Sequence, residues 1–129
     1  MNDTSGTRGM ITLLFEAMNS REFSAFEKVI TDDVGFDFPW VARTEGARRT
    51  LLLLRSLLRK YPELRFTLTD IIAEEDRTCA VWHNEGMDSR GNPYHNRGVT
   101  LFHFTGGKIS FISDYFKDTS FTMKDNQKP

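Results

Sequence analysis

The strongest fold signal in the sequence is residues 94–117, which read YHNRGVTLFHFTGGKISFISDYFK. Two runs rich in β-branched and aromatic residues, Tyr94–Phe104 and Lys108–Lys117, flank the loop Thr105-Gly106-Gly107, and this arrangement is typical of a β-hairpin. A three-residue loop of this kind suits a type I turn closed by a glycine bulge, here at Gly107.

This turn predicts a register in which Phe104 pairs with Lys108 and Gly98 pairs with Asp114. Because side chains alternate along a strand, each face of the hairpin then has a defined set of residues. Both sets are too apolar for either face to be exposed to water, so we expect one to pack under helices and the other against a partner chain. One face carries Thr100, Phe102, Ile112, Asp114 and Phe116, and the other carries Leu101, His103, Ile109, Phe111, Ser113 and Tyr115.

The rest of the chain is predicted to form three helices and three more strands. Apolar residues at helical spacing predict an amphipathic helix over 7–18 with Met10, Leu13, Leu14, Ala17 and Met18 on its apolar face. The further predictions are a helix with Phe23, Phe26, Val29 and Ile30 on one face that Asp32 and Asp33 end, a strand over Val34–Phe38, a helix over Ala47–Lys60, and strands over Leu64–Glu74 and Thr78–Met87. Segregated helices and an antiparallel sheet indicate an α+β fold.

Two details of the helices can be tested directly. Asn19 precedes Glu22 by three residues, which is the spacing of a capping box at the start of the second helix. The leucines of the third helix, at positions 51–54, 57 and 58, cover more than one face, so we expect that helix to be packed on two sides. Its five basic residues are interpreted as a solvated face.

Composition limits the class of protein. The chain has 129 residues, which fits one domain over 1–129 with a core over about 7–119 and loose polar ends at 1–6 and 120–129. The net charge of -1 argues against binding to nucleic acid. The longest apolar run is Leu51–Leu54, so no membrane span is predicted. The single cysteine, Cys79, excludes an internal disulfide and favours a reducing, cytoplasmic location.

Asp114 is the leading candidate for chemistry. It lies between Ile112 and Phe116 on one strand face, where burial would raise its pKa and suit it to general acid or base catalysis. The alternative is an aspartate that reaches solvent or caps a backbone group.

His83 is the second candidate, with Glu85 on the same strand face, although a lone strand histidine is more often structural. No phosphate-binding glycine loop or nucleophile elbow is present, and three histidines without ligand spacing predict neither a metal site nor a cofactor.

The order of elements and motifs resembles the superfamily of ketosteroid isomerases and SnoaL-like polyketide cyclases, with the nuclear transport factor 2-like fold. The resemblance implies a cone-shaped, curved, antiparallel (mixed) sheet wrapped around three N-terminal helices, an apolar pocket inside the cone, and a homodimer formed through the outer face of the sheet. The motifs that carry it are Met18-Asn19-Ser20-Arg21-Glu22-Phe23, Thr31-Asp32-Asp33-Val34, Gly46, Gly91-Asn92-Pro93, Phe104-Thr105-Gly106-Gly107-Lys108-Ile109 and Asp114-Tyr115-Phe116.

The departures from the superfamily restrict the activity. The general base and the two oxyanion-hole residues of the isomerase fall at Phe38, Leu14 and Thr100, which argues against steroid isomerisation by that mechanism. The ending Asp114-Tyr115-Phe116 is similar to that of limonene-epoxide-hydrolase-like relatives, in which an aspartate on the last strand is catalytic. Asp88 could match their second aspartate, but Gly86 stands where they have arginine. A single acid–base aspartate, as in SnoaL-like cyclases, is the simplest fit.

Two functions follow as hypotheses. In the first, the protein is a cofactor-free acid–base enzyme (an isomerase, cyclase, dehydratase or hydrolase) for a small apolar metabolite with a carbonyl or hydroxyl group. In the second, the same cone binds an apolar ligand or another protein without chemistry. The predicted site has Asp114 as acid or base, His83 as its orienting or relay group, Glu85, Asn96 and Thr100 as hydrogen-bonding groups, and Phe38, Trp40, Phe102, Ile112 and Phe116 as the apolar wall.

Overall fold

A computed structural model describes the backbone of residues 3–118 and the side chains of residues 6–118; the predicted loose end at 120–129 lies outside this range. The three predicted helices and five predicted strands are present in the predicted order, and the structure adds a two-residue strand at Thr44–Glu45. Within the described residues, no helix is long and apolar enough to cross a membrane. In chain order the elements are α1 (Asp3–Ser20), α2 (Ser24–Val29), β1 (Ile30–Asp37), β2 (Thr44–Glu45), α3 (Ala47–Arg59), β3 (Arg65–Glu74), β4 (Arg77–Met87), β5 (Pro93–Thr105) and β6 (Lys108–Phe116).

The strands form one mixed sheet with the order β2-β1-β6-β5-β4-β3. Strands β3 to β6 are an antiparallel meander, whereas β1 runs parallel to β6 and is extended at the edge by the short β2. Helix α3 and strands β3 to β5 lie between β1 and β6 in the chain, and this long connection allows the parallel pairing, because parallel strands need a crossover. The predicted α+β class is confirmed, and β6, where Asp114 lies, is an interior strand.

The hairpin between β5 and β6 differs from the prediction in its turn. Gly106 and Gly107 have φ angles of 59° and 82°, which is the backbone of a two-residue type I′ turn that only glycine-like residues adopt easily. Thr105 therefore pairs with Lys108, and the bulge lies farther along β6, between the pairs Phe104–Ile109 and His103–Phe111.

This bulge restores the predicted face of the residues beyond it. Thr100 pairs with Asp114, instead of the predicted Gly98, and Phe102 pairs with Ile112. The register is shifted by two residues, so the same side chains share a face as predicted. Ile109 lies on the other side of the bulge and is fully buried in the core, so its predicted outer-face position is wrong.

Helix α1 begins at Asp3, four residues earlier than predicted. Leu14 and Ala17 are buried as predicted, but the buried stripe is rotated relative to the prediction. Ile11, Leu14 and Phe15 are buried while Leu13 is exposed, which is the i, i+3, i+4 pattern of a core-facing helix. Asn19 does not cap α2. It remains in α1, where its side-chain amide donates to the Phe66 carbonyl over 3.0 Å and its Oδ1 accepts from the Phe66 amide over 2.7 Å.

Two further helix predictions are corrected. Helix α2 ends at Val29 and Ile30 already has extended backbone as the first residue of β1, because Ile30 pairs with Ile109 of β6. Helix α3 buries one face only: Leu51, Leu54, Leu57 and Leu58 are in the core, whereas Leu52 is 55% exposed. The basic residues of α3 are exposed, as predicted: Arg48, Arg49, Arg55, Arg59 and Lys60.

Candidate functional site

An apolar cavity lies between the helices and the inner face of the sheet. The cavity has a volume of about 70 Å³ for the centres of water molecules. One water needs roughly 10–15 Å³ of such volume, so the cavity is large enough for several. The space available to a molecule is larger, since the radius of a water molecule adds on every side. The cavity is lined by Leu14, Phe15, Met18, Phe26, Phe36, Phe38, Thr50, Leu54, Leu57, Leu58, Phe66, Trp82, Asn84, Asn96, Thr100, Phe102, Ile112, Asp114 and Phe116.

Asp114 is the one ionisable side chain among these described lining residues. Strand β6 places it on the inner face, directly opposite Thr100 of β5. The Thr100 hydroxyl donates to Asp114 Oδ1 over 2.5 Å, and the Trp82 indole N–H donates to the same hydroxyl oxygen over 2.9 Å. Three neighbouring strands therefore fix one oxygen of the carboxyl group, and its second oxygen, Oδ2, has no hydrogen-bond partner among the described residues.

The surroundings of Asp114 raise its pKa to about 7. The main cause is burial in the apolar cavity, because a carboxylate loses hydration there. The hydrogen bond from Thr100 lowers the pKa and so opposes the effect of burial, while the negative charge of Asp37 raises it. Both protonation states are consequently accessible near neutral pH, the condition that general acid–base catalysis requires.

Asp37 acts on Asp114 through the sheet and not within the cavity. It is the last residue of β1 and pairs with Ser113, whose hydroxyl donates to Asp37 Oδ2 over 3.2 Å. Ser113 precedes Asp114 on β6 and points to the opposite face, so the two carboxyl groups lie on either side of the same strand. Asp37 is therefore a second charge near the site that does not line the cavity.

Seven of the ten predicted site residues line the cavity: Phe38, Asn96, Thr100, Phe102, Ile112, Asp114 and Phe116.

The side-chain amide of Asn96 forms all of its hydrogen bonds with the protein itself. Its side-chain amide donates to the Tyr94 hydroxyl and to the Asp118 carbonyl, and its Oδ1 accepts from the Arg97 and Asp118 backbone amides, all at 2.9–3.0 Å. These bonds fasten the end of β6 to β5, a structural role.

The other three predicted residues do not line the cavity. His83 and Glu85 lie on the outer face, because Ala80 of β4 pairs with Thr100 of β5 and so the even-numbered residues of β4 face inward. His83 is half-buried and Glu85 is exposed. Trp40 is 64% exposed in the loop after β1. The predicted relay from His83 to Asp114 therefore has no geometric basis.

Sequence reasoning missed three polar or amphipathic lining residues. Trp82 and Asn84 take the inward positions of β4, and Thr50 comes from the first turns of α3. Side chains alternate along β4, so Trp82 and Asn84 form one of its two possible faces, and the prediction chose the other. Within the described residues, no group of three His, Cys, Asp or Glu side chains could hold a metal ion.

Comparison with known proteins agrees with this geometry. The SnoaL-like domain model matches residues 11–112, and among functionally curated proteins none matches the chain.

Similar solved structures share the fold at low identity. A candidate SnoaL-like polyketide cyclase from Jannaschia sp. CCS1 is 14% identical with a TM-score of 0.85, over 97% of this chain and 94% of that one. A candidate polyketide cyclase from Xanthomonas campestris pv. campestris is 21% identical with a TM-score of 0.76, over 90% and 93%. A nuclear transport factor 2-like protein from Anabaena variabilis is 20% identical with a TM-score of 0.80, over 89% of each chain. The chain therefore belongs to the SnoaL-like domain family and has the nuclear transport factor 2-like fold.

Proposed function

We propose that this protein is an acid–base enzyme in which Asp114 moves a proton on a small apolar substrate that bears a carbonyl or hydroxyl group. The observation that carries the proposal is the position of Asp114 as the one ionisable group on the described wall of a largely apolar cavity, with a pKa of about 7. Proton transfer of this kind needs a side chain and no cofactor.

The free oxygen of Asp114 is the reacting group in this proposal. In its ionised form, Oδ2 accepts a proton from a carbon next to a substrate carbonyl, and the C–H electron pair becomes the double bond of an enolate. The same carboxyl group, now protonated, returns the proton to oxygen or to another carbon. Isomerisation, cyclisation and dehydration can all be built from these two steps. The candidate polyketide cyclases among the structural relatives are consistent with such chemistry.

Proton exchange tests the proposal without knowledge of the natural substrate. 1-Tetralone, a two-ring apolar ketone, is incubated with the protein in D₂O near pH 7, and NMR follows the loss of its α-proton signals. We expect the protein to accelerate exchange and Asp114→Asn to reduce this acceleration by about 10²-fold or more. Asn can still accept the Thr100 hydrogen bond, so the variant removes the proton transfer and keeps the geometry.

The matched control is Asp33→Asn, which removes an exposed carboxyl group from β1 outside the cavity. We expect this variant to exchange the ketone as fast as the wild-type protein. Equal exchange by the wild type and Asp114→Asn would overturn the proposal. Binding of 1-tetralone without any accelerated exchange would instead favour the second hypothesis, a non-catalytic binding protein.

A further inference from the structure

Asn84 is a buried polar residue whose burial is not explained by hydrogen bonds within the described residues. Its side chain is 3% exposed and lines the cavity. Its Oδ1 atom has no hydrogen-bond partner among the described residues. A buried acceptor without a partner costs on the order of 1–3 kcal/mol, so each one in a native structure needs an explanation.

The neighbouring strand provides a contrast. Asn96 of β5 pairs directly with Asn84, is equally buried, and has both ends of its amide occupied by protein groups. The two asparagines therefore differ in their partners: the side-chain amide of Asn96 fastens two strands, whereas Asn84 lines the cavity with an Oδ1 atom that no described residue satisfies. Thr50 Oγ1 is a second unpartnered buried atom on the described wall of this cavity, but a hydroxyl can donate or accept and so does not specify its partner.

We infer that Asn84 is a ligand-recognition residue and that the substrate carries a hydrogen-bond donor, such as a hydroxyl group, at the end remote from its reacting carbon. Asn84 Oδ1 can only accept, so the group that meets it must donate. This inference rests on the proposed function for the position of the reacting end at Asp114.

Sheet geometry sets the minimum size of that substrate. Asp114 pairs with Thr100, Thr100 pairs with Ala80, and Asn84 lies four residues farther along β4. With about 3.3 Å per residue and about 4.8 Å between strands, the Cα atoms of Asp114 and Asn84 are on the order of 16 Å apart along the sheet. Side chains that point inward shorten this separation, but a single ring cannot contact both. The substrate class is a carbonyl compound with a remote hydroxyl group, on a scaffold longer than a single ring.

The test compares three ligands that differ at one position: 1-tetralone, 6-hydroxy-1-tetralone and 6-methoxy-1-tetralone. Their dissociation constants are measured by calorimetry with the wild-type protein. We expect the hydroxy compound to bind about three- to tenfold more tightly than 1-tetralone, the effect of one buried hydrogen bond. The methoxy compound, which cannot donate, should not share this gain. This measurement needs no variant.

Two variants then locate the effect. Asn84→Leu has a similar shape and no polar group, so it should abolish the preference for the hydroxy compound without lowering thermal stability. The control is Thr78→Val, which removes another unpartnered buried oxygen from β4 at a position that does not line the cavity, and it should keep the preference.

The inference is overturned if the wild type does not prefer the hydroxy compound, or if Asn84→Leu retains the preference. Asp114→Asn separates this result from the proposed function. A variant that loses proton exchange but keeps the hydroxyl preference supports both. The wild type and Asp114→Asn could both prefer the hydroxy compound while neither accelerates proton exchange. This result would support recognition by Asn84 and exclude the catalytic role of Asp114.

Discussion

The Thr100 hydroxyl and the Asp114 carboxyl group face each other across β5 and β6 and form a hydrogen bond of 2.5 Å. The Trp82 N–H occupies the oxygen of Thr100, so the hydroxyl proton is directed at Asp114. Two opposed effects therefore act on the pKa of Asp114: burial disfavours the charged form and raises the pKa, whereas the hydrogen bond favours the charged form and lowers it. Asp114 is thereby held near the midpoint of its titration at neutral pH.

The raised pKa of Asp114 predicts a specific dependence of stability on pH. The folded protein keeps this proton up to about pH 7, whereas an unfolded aspartate releases it near pH 3.9. Between these values the unfolded state binds fewer protons, so the free energy of unfolding falls as pH rises. The loss is at most about 4 kcal/mol for this group.

Asp114→Asn removes that contribution. We expect the stability of the variant relative to wild type to increase steadily from pH 4 to pH 7, as measured by urea denaturation at several pH values. Asp33→Asn, at an exposed position, is the control and should show no such trend. A constant difference between Asp114→Asn and wild type across this range would contradict a pKa of about 7.

Thr100→Val should raise the pKa of Asp114 further. The substitution keeps the shape of the side chain and removes the donor that stabilises the carboxylate, so burial then acts unopposed. It also leaves the Trp82 N–H without its acceptor, which should cost about 1–3 kcal/mol of stability. Carbon-detected NMR titration of the Asp114 carboxyl group measures the shift, with Thr78→Val as the matched control. An unchanged or lowered pKa would show that Thr100 does not stabilise the charge.

The outer face of the sheet predicts a homodimer. Its apolar residues are Cys79, Val81, Val99, Leu101, Phe111 and Tyr115, and Tyr115 is 60% exposed. An exposed patch of this kind is typical of an interaction surface. We expect sedimentation analysis to find a dimer that Tyr115→Lys weakens, because the substitution introduces a charge into the patch. Leu52→Lys, at an exposed position on α3, should leave it intact. A monomeric wild-type protein at micromolar concentration would exclude this interface.

Gly98→Ala should disturb the cavity from the strand beside it. A Cβ atom at Gly98 would lie 2.6 Å from Phe116 Cβ and would also clash with the Tyr115 carbonyl oxygen, so the end of β6 must move. We expect a loss of about 1–3 kcal/mol of stability and weaker binding of 1-tetralone. Gly9→Ala in α1 meets no atom within 4 Å and should be neutral or stabilising by up to about 1 kcal/mol. Equal stability of both variants would contradict the close approach at Gly98.

The strands could be predicted from sequence because their composition and turns are local signals. The four meander strands begin and end within one residue of the prediction. Asp114 could also be selected from sequence, since a carboxylate between Ile112 and Phe116 is unusual on an inward face. Its partner Thr100 was on the predicted face, although the pairing depended on a turn that the sequence Thr-Gly-Gly leaves ambiguous between two and three residues.

Other parts of the site depend on contacts between distant residues. The two alternating sets of β4, with Trp82 and Asn84 in one and His83 and Glu85 in the other, each mix apolar and polar side chains, so local pattern does not decide which faces inward. Asn19 has the spacing of a helix cap, but its partner is the backbone of Phe66, 47 residues away. Tertiary pairing decides both cases.

The bulge after Ile109 separates the tip of the last hairpin from the strand that holds Asp114. Register beyond the bulge is set by the pairs Phe102–Ile112 and Thr100–Asp114 and not by the turn itself. The Gly106-Gly107 turn is thus a natural place to insert a peptide tag or a fluorescent reporter. The two ends of such an insert would emerge side by side, on a loop whose length does not affect the position of the Asp114 carboxyl group.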